Sequence, residues 1–231
     1  MKNYIMAFLL MVISCEDNFQ VVENNELTFI ASEGNFGSSN GAITVFSGNK
    51  QIQHIRDVGD VVQSLAIHKD KLFVLVNNSH LIKVFNITNS GLLLPGIDIS
   101  TDNSGPREMV IIDNNVYFTN WNTQDVKILN LETYFIEESI NINGLPESIV
   151  TDGSYLWVAI SSGSTVEKIS LETREIVETI EVGNGPQQML LDGNLLWISR
   201  TYYSTAWSKT YYGTTQINIQ SGAVTMREYG V

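Results

Sequence analysis

The chain has 231 residues and a mass of 25.8 kDa, with 43% hydrophobic and 16% charged residues and a formal net charge of -12 at pH 7. That profile belongs to a globular chain with a sizeable core and excludes a disordered one. The acidic balance, with no cluster of Lys or Arg, excludes a nucleic-acid partner, which needs a basic face. The single cysteine excludes a disulfide framework.

Residues 1–15 come first. Lys2 supplies a positive start, residues 4–13 form an apolar run too short to span a bilayer, and the run ends in Val-Ile-Ser-Cys at Cys15. That ending has the form of a bacterial lipobox, so Cys15 is expected to become the lipidated first residue of an exported protein. The membrane would then be met through this lipid anchor only. Residues 16–25 follow as a tether opening with Glu16 and Asp17. This resembles the short acidic signal of lipoproteins displayed on the outer-membrane surface, with a periplasm-facing anchor as the alternative.

From residue 26 to 231 the chain repeats. Pro106, Pro146 and Pro186 stand 40 residues apart and open REMVIIDNNVYFTNW, ESIVTDGSYLWVAIS and QQMLLDGNLLWISRT. The pairs Val116-Tyr117, Leu156-Trp157 and Leu196-Trp197 keep one register. Looser copies precede them, at 27–55 and 65–87, and a fifth closes at 216–226 after an insertion of about eight residues. Each copy holds short segments rich in Val, Ile, Phe, Tyr and Trp, separated by Asp-Gly, Asn-Gly or Gly-Pro turns. A fixed period of about 40 with four strands per copy predicts an all-β chain, a β-propeller of four-stranded antiparallel blades. About five blade repeats are visible, in a small closed ring or an incomplete seven-blade plan, with 19–22 available as the first strand of the first copy.

In such a fold, loops joining strands 2 and 3, the long 200–213 segment among them, and those joining one blade to the next, at 57–61, 104–108 and 185–188, emerge on one face. The turns on the opposite face are monotonous (Asp113, Asp152-Gly153, Asp192-Gly193, and Leu-Glu-Thr at 131–133 and 171–173), which suits backbone geometry alone. The first face is irregular and chemically rich, and loops on a rigid scaffold are where binding concentrates. Its candidate ligand-binding residues are Asn35, Phe36, Asn40, Asn78, His80, Arg107, Asn120, Trp121, Asn122, Gln187, Arg200, Tyr202, Tyr203 and Trp207. Aromatic rings interleaved with amides and hydroxyls suit a neutral polar small molecule. His54, His68 and His80 have no partner at ligand spacing, so no metal site is expected. No nucleophile elbow, phosphate loop or zinc motif is present, and the chain is expected to be no enzyme and to need no cofactor.

The strings EGNFGSSNG at 33–41, GDVVQS at 59–64, LFVLVNNS at 72–79 and YFTNW at 117–121 resemble those of the YncE-like (YVTN-repeat) surface lipoprotein propellers. One branch of that family includes cobalamin-capturing lipoproteins seated over a TonB-dependent outer-membrane transporter. The resemblance covers the whole chain after the tether. It implies a non-enzymatic capture protein, with a corrinoid as one cargo and such a transporter as partner. A protein-interaction or adhesion propeller and a polysaccharide lyase- or hydrolase-like propeller are the alternatives. The family's members usually have seven blades, two more than the copies visible in this sequence.

Overall fold

The structure is a computed structural model that describes residues 26–230; Cys15, the 1–15 and 16–25 segments and the 19–22 strand expectation lie outside them. The described residues form twenty strands in five antiparallel sheets. The first sheet holds β1 (Leu27–Ser32), β2 (Ala42–Ser47) and β3 (Lys50–Ile55). The second holds β4 (Val62–His68), β5 (Lys71–Val76) and β6 (Leu81–Thr88), with β7 (Gly91–Leu92) and β8 (Ile97–Ser100) both paired to β6. The third runs β9 (Pro106–Ile112), β10 (Asn115–Asn120), β11 (Asp125–Asn130) and β12 (Ile136–Asn141). The fourth runs β13 (Pro146–Thr151), β14 (Tyr155–Ile160), β15 (Thr165–Ser170) and β16 (Ile176–Glu181). The fifth runs β17 (Pro186–Asp192), β18 (Leu195–Tyr203), β19 (Thr210–Asn218) and β20 (Val224–Glu228).

The repeat therefore is a blade, and its register is the same in each sheet. Phe73 pairs with Val84, Tyr117 with Ile128 and Trp157 with Lys168, always across the second and third strands. Phe29 pairs with Val45 in the same way. So β1 takes the place of a second strand, and the first sheet has no inner strand among the described residues. The second sheet departs too, because its outer edge is split into two short pieces. The Gln53 amide of the first sheet bonds both the N–H and the carbonyl of Leu92 at 2.7 and 2.9 Å, tying those two outer edges together.

In the second, third and fourth sheets alternation along each strand sends apolar residues to both faces, because each of these blades is packed between two others. Four hydrophobic clusters result, and each joins consecutive blades. Phe73 and Leu75 meet Val116 and Phe118; Tyr117 and Val126 meet Leu156 and Val158; Trp157 and Val166 meet Leu196 and Ile198. The inner strands β4, β9, β13 and β17 lie side by side. No cluster joins the fifth sheet to the first among the described residues. They form an arc of five blades whose closing joint is not made.

Candidate functional site

Three segments expected as loops are partly strand. The segments 104–108 and 185–188, read as blade-to-blade loops, contain the starts of β9 and β17, which begin at Pro106 and Pro186. The insertion at 200–213 lengthens β18 and β19 into a nine-residue ladder, from Leu195–Asn218 to Tyr203–Thr210. Tyr202 stacks on its cross-strand partner Tyr211, with centroids 4.9 Å apart. Only 204–209 form the hairpin tip. There Ser204 closes the turn through backbone bonds to Trp207 and Lys209, and its hydroxyl accepts the Ser208 and Lys209 N–H groups. Tyr203 stacks on Trp207 at 5.1 Å, and Trp207 is held at φ 56°, in the left-handed region that bulky residues rarely adopt. The Trp207 indole nonetheless stands 77% exposed.

This hairpin forms one wall of a cleft of about 850 Å³ on the face predicted to be irregular. Trp121, at the end of β10, and Leu145 line it from the third blade. Ser161, Ser162 and Ser164, between β14 and β15, line it from the fourth. Asn184, Gln187, Thr201, Tyr202, Tyr203, Ser204, Thr205 and Trp207 complete it. Four aromatic rings and many hydroxyl and amide groups face the space, and no charged side chain does.

The inner strands set a polar position on the second to fifth blades: Gln63, Arg107, Glu147 and Gln187. Arg107 donates to both Glu147 carboxylate oxygens, at 2.7 and 2.9 Å, and to the Gln63 amide oxygen at 2.8 Å. Its guanidinium also lies 4.1 Å from the Trp121 ring centroid, so one face of that indole is covered by a cation. The Trp121 N–H is buried and has no acceptor among the described residues. Glu108 is the next residue on β9. Burial pushes its carboxyl above the usual range and the nearby Glu147 charge adds to this, while a Ser64 hydrogen bond and Arg107 oppose it.

Of the residues expected to bind, the cleft gathers Trp121, Gln187, Tyr202, Tyr203 and Trp207. The others are placed elsewhere. Asn120 is fully buried: Ser104 donates to its Oδ1 at 2.6 Å, and its amide donates to Asp125 at 2.9 Å. It secures a strand end. Arg200 is 2% exposed, paired with Glu228 and bonded to the Arg227 carbonyl. Gly183, at φ +84°, and Gly213 leave the space for its guanidinium that a Cβ would fill. Asn78 donates to Asp60 at 2.6 Å, and His80 accepts the Gly105 N–H at 3.2 Å. Asn122 donates to the Asn103 carbonyl at 3.0 Å.

Asn35, Phe36 and Asn40 sit on the loop between β1 and β2, away from the cleft. Asn40 accepts the Asn35 N–H at 2.7 Å, and Phe36 is 78% exposed. The loop docks on 59–62: Gly37 donates to both Asp60 carboxylate oxygens at 3.0 Å, and Gly41 and Val62 bond to Gly59 and Glu33. Among the described residues no group of three or more His, Cys, Asp or Glu side chains comes together. Ser161, Ser162, Ser164, Asn184 and Thr201 were not among the candidates. Their signal was position: Ser161 lies 40 residues after Trp121 and Thr201 40 after Ser161, at the same place in successive blades.

No protein-family model and no curated protein sequence matches the chain. Solved structures do. The chain is similar to the Pan2 WD40 domain of Neurospora crassa (TM-score 0.69, 11% identity, 90% of this chain and 63% of that one). It is similar to a candidate 6-phosphogluconolactonase of Bacteroides fragilis (TM-score 0.68, 15% identity, 91% and 69%). It is also similar to Sqt1 of Saccharomyces cerevisiae (TM-score 0.65, 9% identity, 86% and 57%). At these identities the likeness establishes the fold, a β-propeller, and nothing finer. The chain spans between about half and two thirds of the length of the first two structures it matches, at 46% and 63%.

Proposed function

We propose that this chain is a non-enzymatic binding propeller that captures a neutral, polar small molecule in the cleft between its third, fourth and fifth blades. One observation carries this: four aromatic rings and a set of hydroxyls and amides surround about 850 Å³ without a charged side chain. Rings offer stacking area at low entropic cost, and hydroxyls and amides fix orientation, which is the make-up of sites for uncharged ligands. The lining contains no carboxylate, imidazole or amine, and its two phenols, Tyr202 and Tyr203, are stacked on Tyr211 and Trp207 with no base beside them in the lining, which favours binding over the lyase or hydrolase alternative.

The finer part of the proposal rests on the resemblance of the 33–41, 59–64, 72–79 and 117–121 strings. By it, the cargo is a corrinoid, the chain is anchored through Cys15 to the outer membrane and faces outward, and a TonB-dependent transporter receives the ligand. Two of the lining residues are tryptophans, so a bound corrinoid would quench intrinsic fluorescence. Titrating the folded chain with cobalamin, haem and a neutral oligosaccharide tests both levels. Saturable quenching by cobalamin, with the midpoint shifted roughly tenfold to weaker binding in Trp121→Ala and Trp207→Ala, is expected. Binding of the oligosaccharide alone removes the corrinoid reading, and no binding of any of the three removes capture itself. A second reading, a protein-interaction propeller, is favoured by one observation: Phe36 and Trp207 are both more than three-quarters exposed on loop tips.

A further inference from the structure

The polar position that the inner strands repeat on four successive blades is not used alike on each. Arg107 donates to the Gln63 amide oxygen and to both Glu147 carboxylate oxygens, so three of the four side chains are fastened to one another. Gln187 stands 40 residues after Glu147, and its carboxamide has no hydrogen-bond partner among the described residues. It is half-buried and lines the cleft. The fastening stops one blade short of the long hairpin, and the polar group left over faces the space.

The polar groups around it sort the same way. The Ser161 hydroxyl donates to the Leu145 carbonyl at 3.0 Å and the Ser164 hydroxyl to Glu181 at 2.9 Å, while Ser162 accepts the Leu145 N–H at 2.9 Å. Those hydroxyls hold the loops. Asn184, in the connection that leads into β17, carries a second carboxamide with no partner among the described residues. A carboxamide presents a donor and an acceptor side by side in one plane. Its full complement is a group that presents an acceptor and a donor in the same way, as an amide or an un-ionised carboxylic acid does. A carboxylate at neutral pH has lost its donor and finds no cation in this lining, which leaves the neutral amide.

We infer that Gln187 sets the specificity of this cleft, its carboxamide pairing with a primary amide or lactam of the ligand while the ligand's flat frame stacks on the aromatic rings. The inference rests on the reading of the cleft as a capture site and narrows its ligands from neutral polar molecules to amide-bearing ones. A ligand seated over Gln187 takes that side chain out of water, so it supplies both hydrogen bonds or loses affinity. Asn184, nearer the rim and exposed, meets a second polar group of the same ligand and discriminates less, because water competes for it there.

Chemical-shift titration of the folded chain by NMR, with benzamide, acetophenone and a methyl glucoside as probes, is the test. Benzamide and acetophenone share a ring, a size and a carbonyl oxygen and differ in one donor, an amino group against a methyl. Benzamide is expected to bind roughly tenfold more tightly than acetophenone. Gln187→Leu and Gln187→Ala are expected to bring the two to within about twofold of each other. Equal affinity for the two in the parent chain overturns the inference and leaves the capture cleft standing. A preference that survives both variants overturns it as well, since the donor is then met elsewhere. So do variants that no longer fold, which make Gln187 a structural residue. A methyl glucoside that binds more tightly than benzamide assigns the carboxamides to vicinal hydroxyls and overturns it. No binding of any probe overturns it too, and the larger ligands titrated above then decide whether the cleft reading falls with it.

Discussion

The two ends of the blades use the same residue types in opposite ways. At the turn end, the Asx side chains are satisfied by their own neighbours. Asp152 accepts the Ser154 and Tyr155 N–H groups and the Trp157 indole N–H, and Asn130 and Asn218 each accept two N–H groups within the next three residues. At the cleft end the partners are far away in sequence. Asn120 is held by Ser104, Gly37 by Asp60, the Glu147 carbonyl by Thr119 and the Glu147 carboxylate by Arg107. Local closure makes a turn; distant closure welds one blade to another. The side chains left over at the cleft end, after that welding, are the ones free to meet a ligand.

The contrast can be broken by substitution. The largest effect is expected at Trp157, which is buried in the joint and donates to Asp152: Trp157→Ala should cost about 3–5 kcal/mol in urea unfolding. Trp207→Ala, at the exposed hairpin tip, should stay within about 0.5 kcal/mol. Asn120→Ala comes next, at about 1–3 kcal/mol, because it strands the buried Ser104 hydroxyl. Its neighbour Trp121 sharpens the contrast. Trp121→Ala and Tyr203→Ala should each weaken ligand roughly tenfold in fluorescence or calorimetric titration, with stability little changed. If Trp121→Ala costs as much stability as Asn120→Ala, the division between welding and binding residues fails at its sharpest point.

The smallest effect is a slope. Glu108 has a raised folded-state pKa, so between its ordinary value of 4.5 and the raised one the folded state binds more protons than the unfolded state. Stability then falls as pH rises through that window. Glu108→Gln should flatten the fall, so the variant gains on the parent at neutral pH and gains little near pH 4.5. Urea midpoints at several pH values measure it; a parent and variant with parallel profiles would remove burial as the dominant influence on Glu108.

What was legible in the sequence follows the same division. The strands, the 40-residue register and the turn residues are written locally, in alternation and in Asx-Gly pairs, and the structure has them. Which face is irregular was also legible, because the slips in the period are visible as slips. The role of each polar residue on that face was not. Asn120 and Trp121 are adjacent and equally conspicuous, yet Ser104, sixteen residues earlier, decides that one is sealed and the other is open. Arg200 looked like a loop cation until Glu228 and the space over Gly183 and Gly213 were in view. The ladder at 195–218 was hidden because Tyr, Thr and Ser suit an exposed hairpin and a loop equally well.

Arg107 gives the molecule a property that a stack of blades would otherwise lack. In a row of repeats, each unit feels only its neighbours, and the array frays from its ends one unit at a time. Arg107 sits on the third blade but holds Gln63 of the second and Glu147 of the fourth, so three units share one fastening near the axis. Amide protons of the second, third and fourth blades should therefore exchange as a single cooperative block, with the first and fifth blades opening earlier and independently.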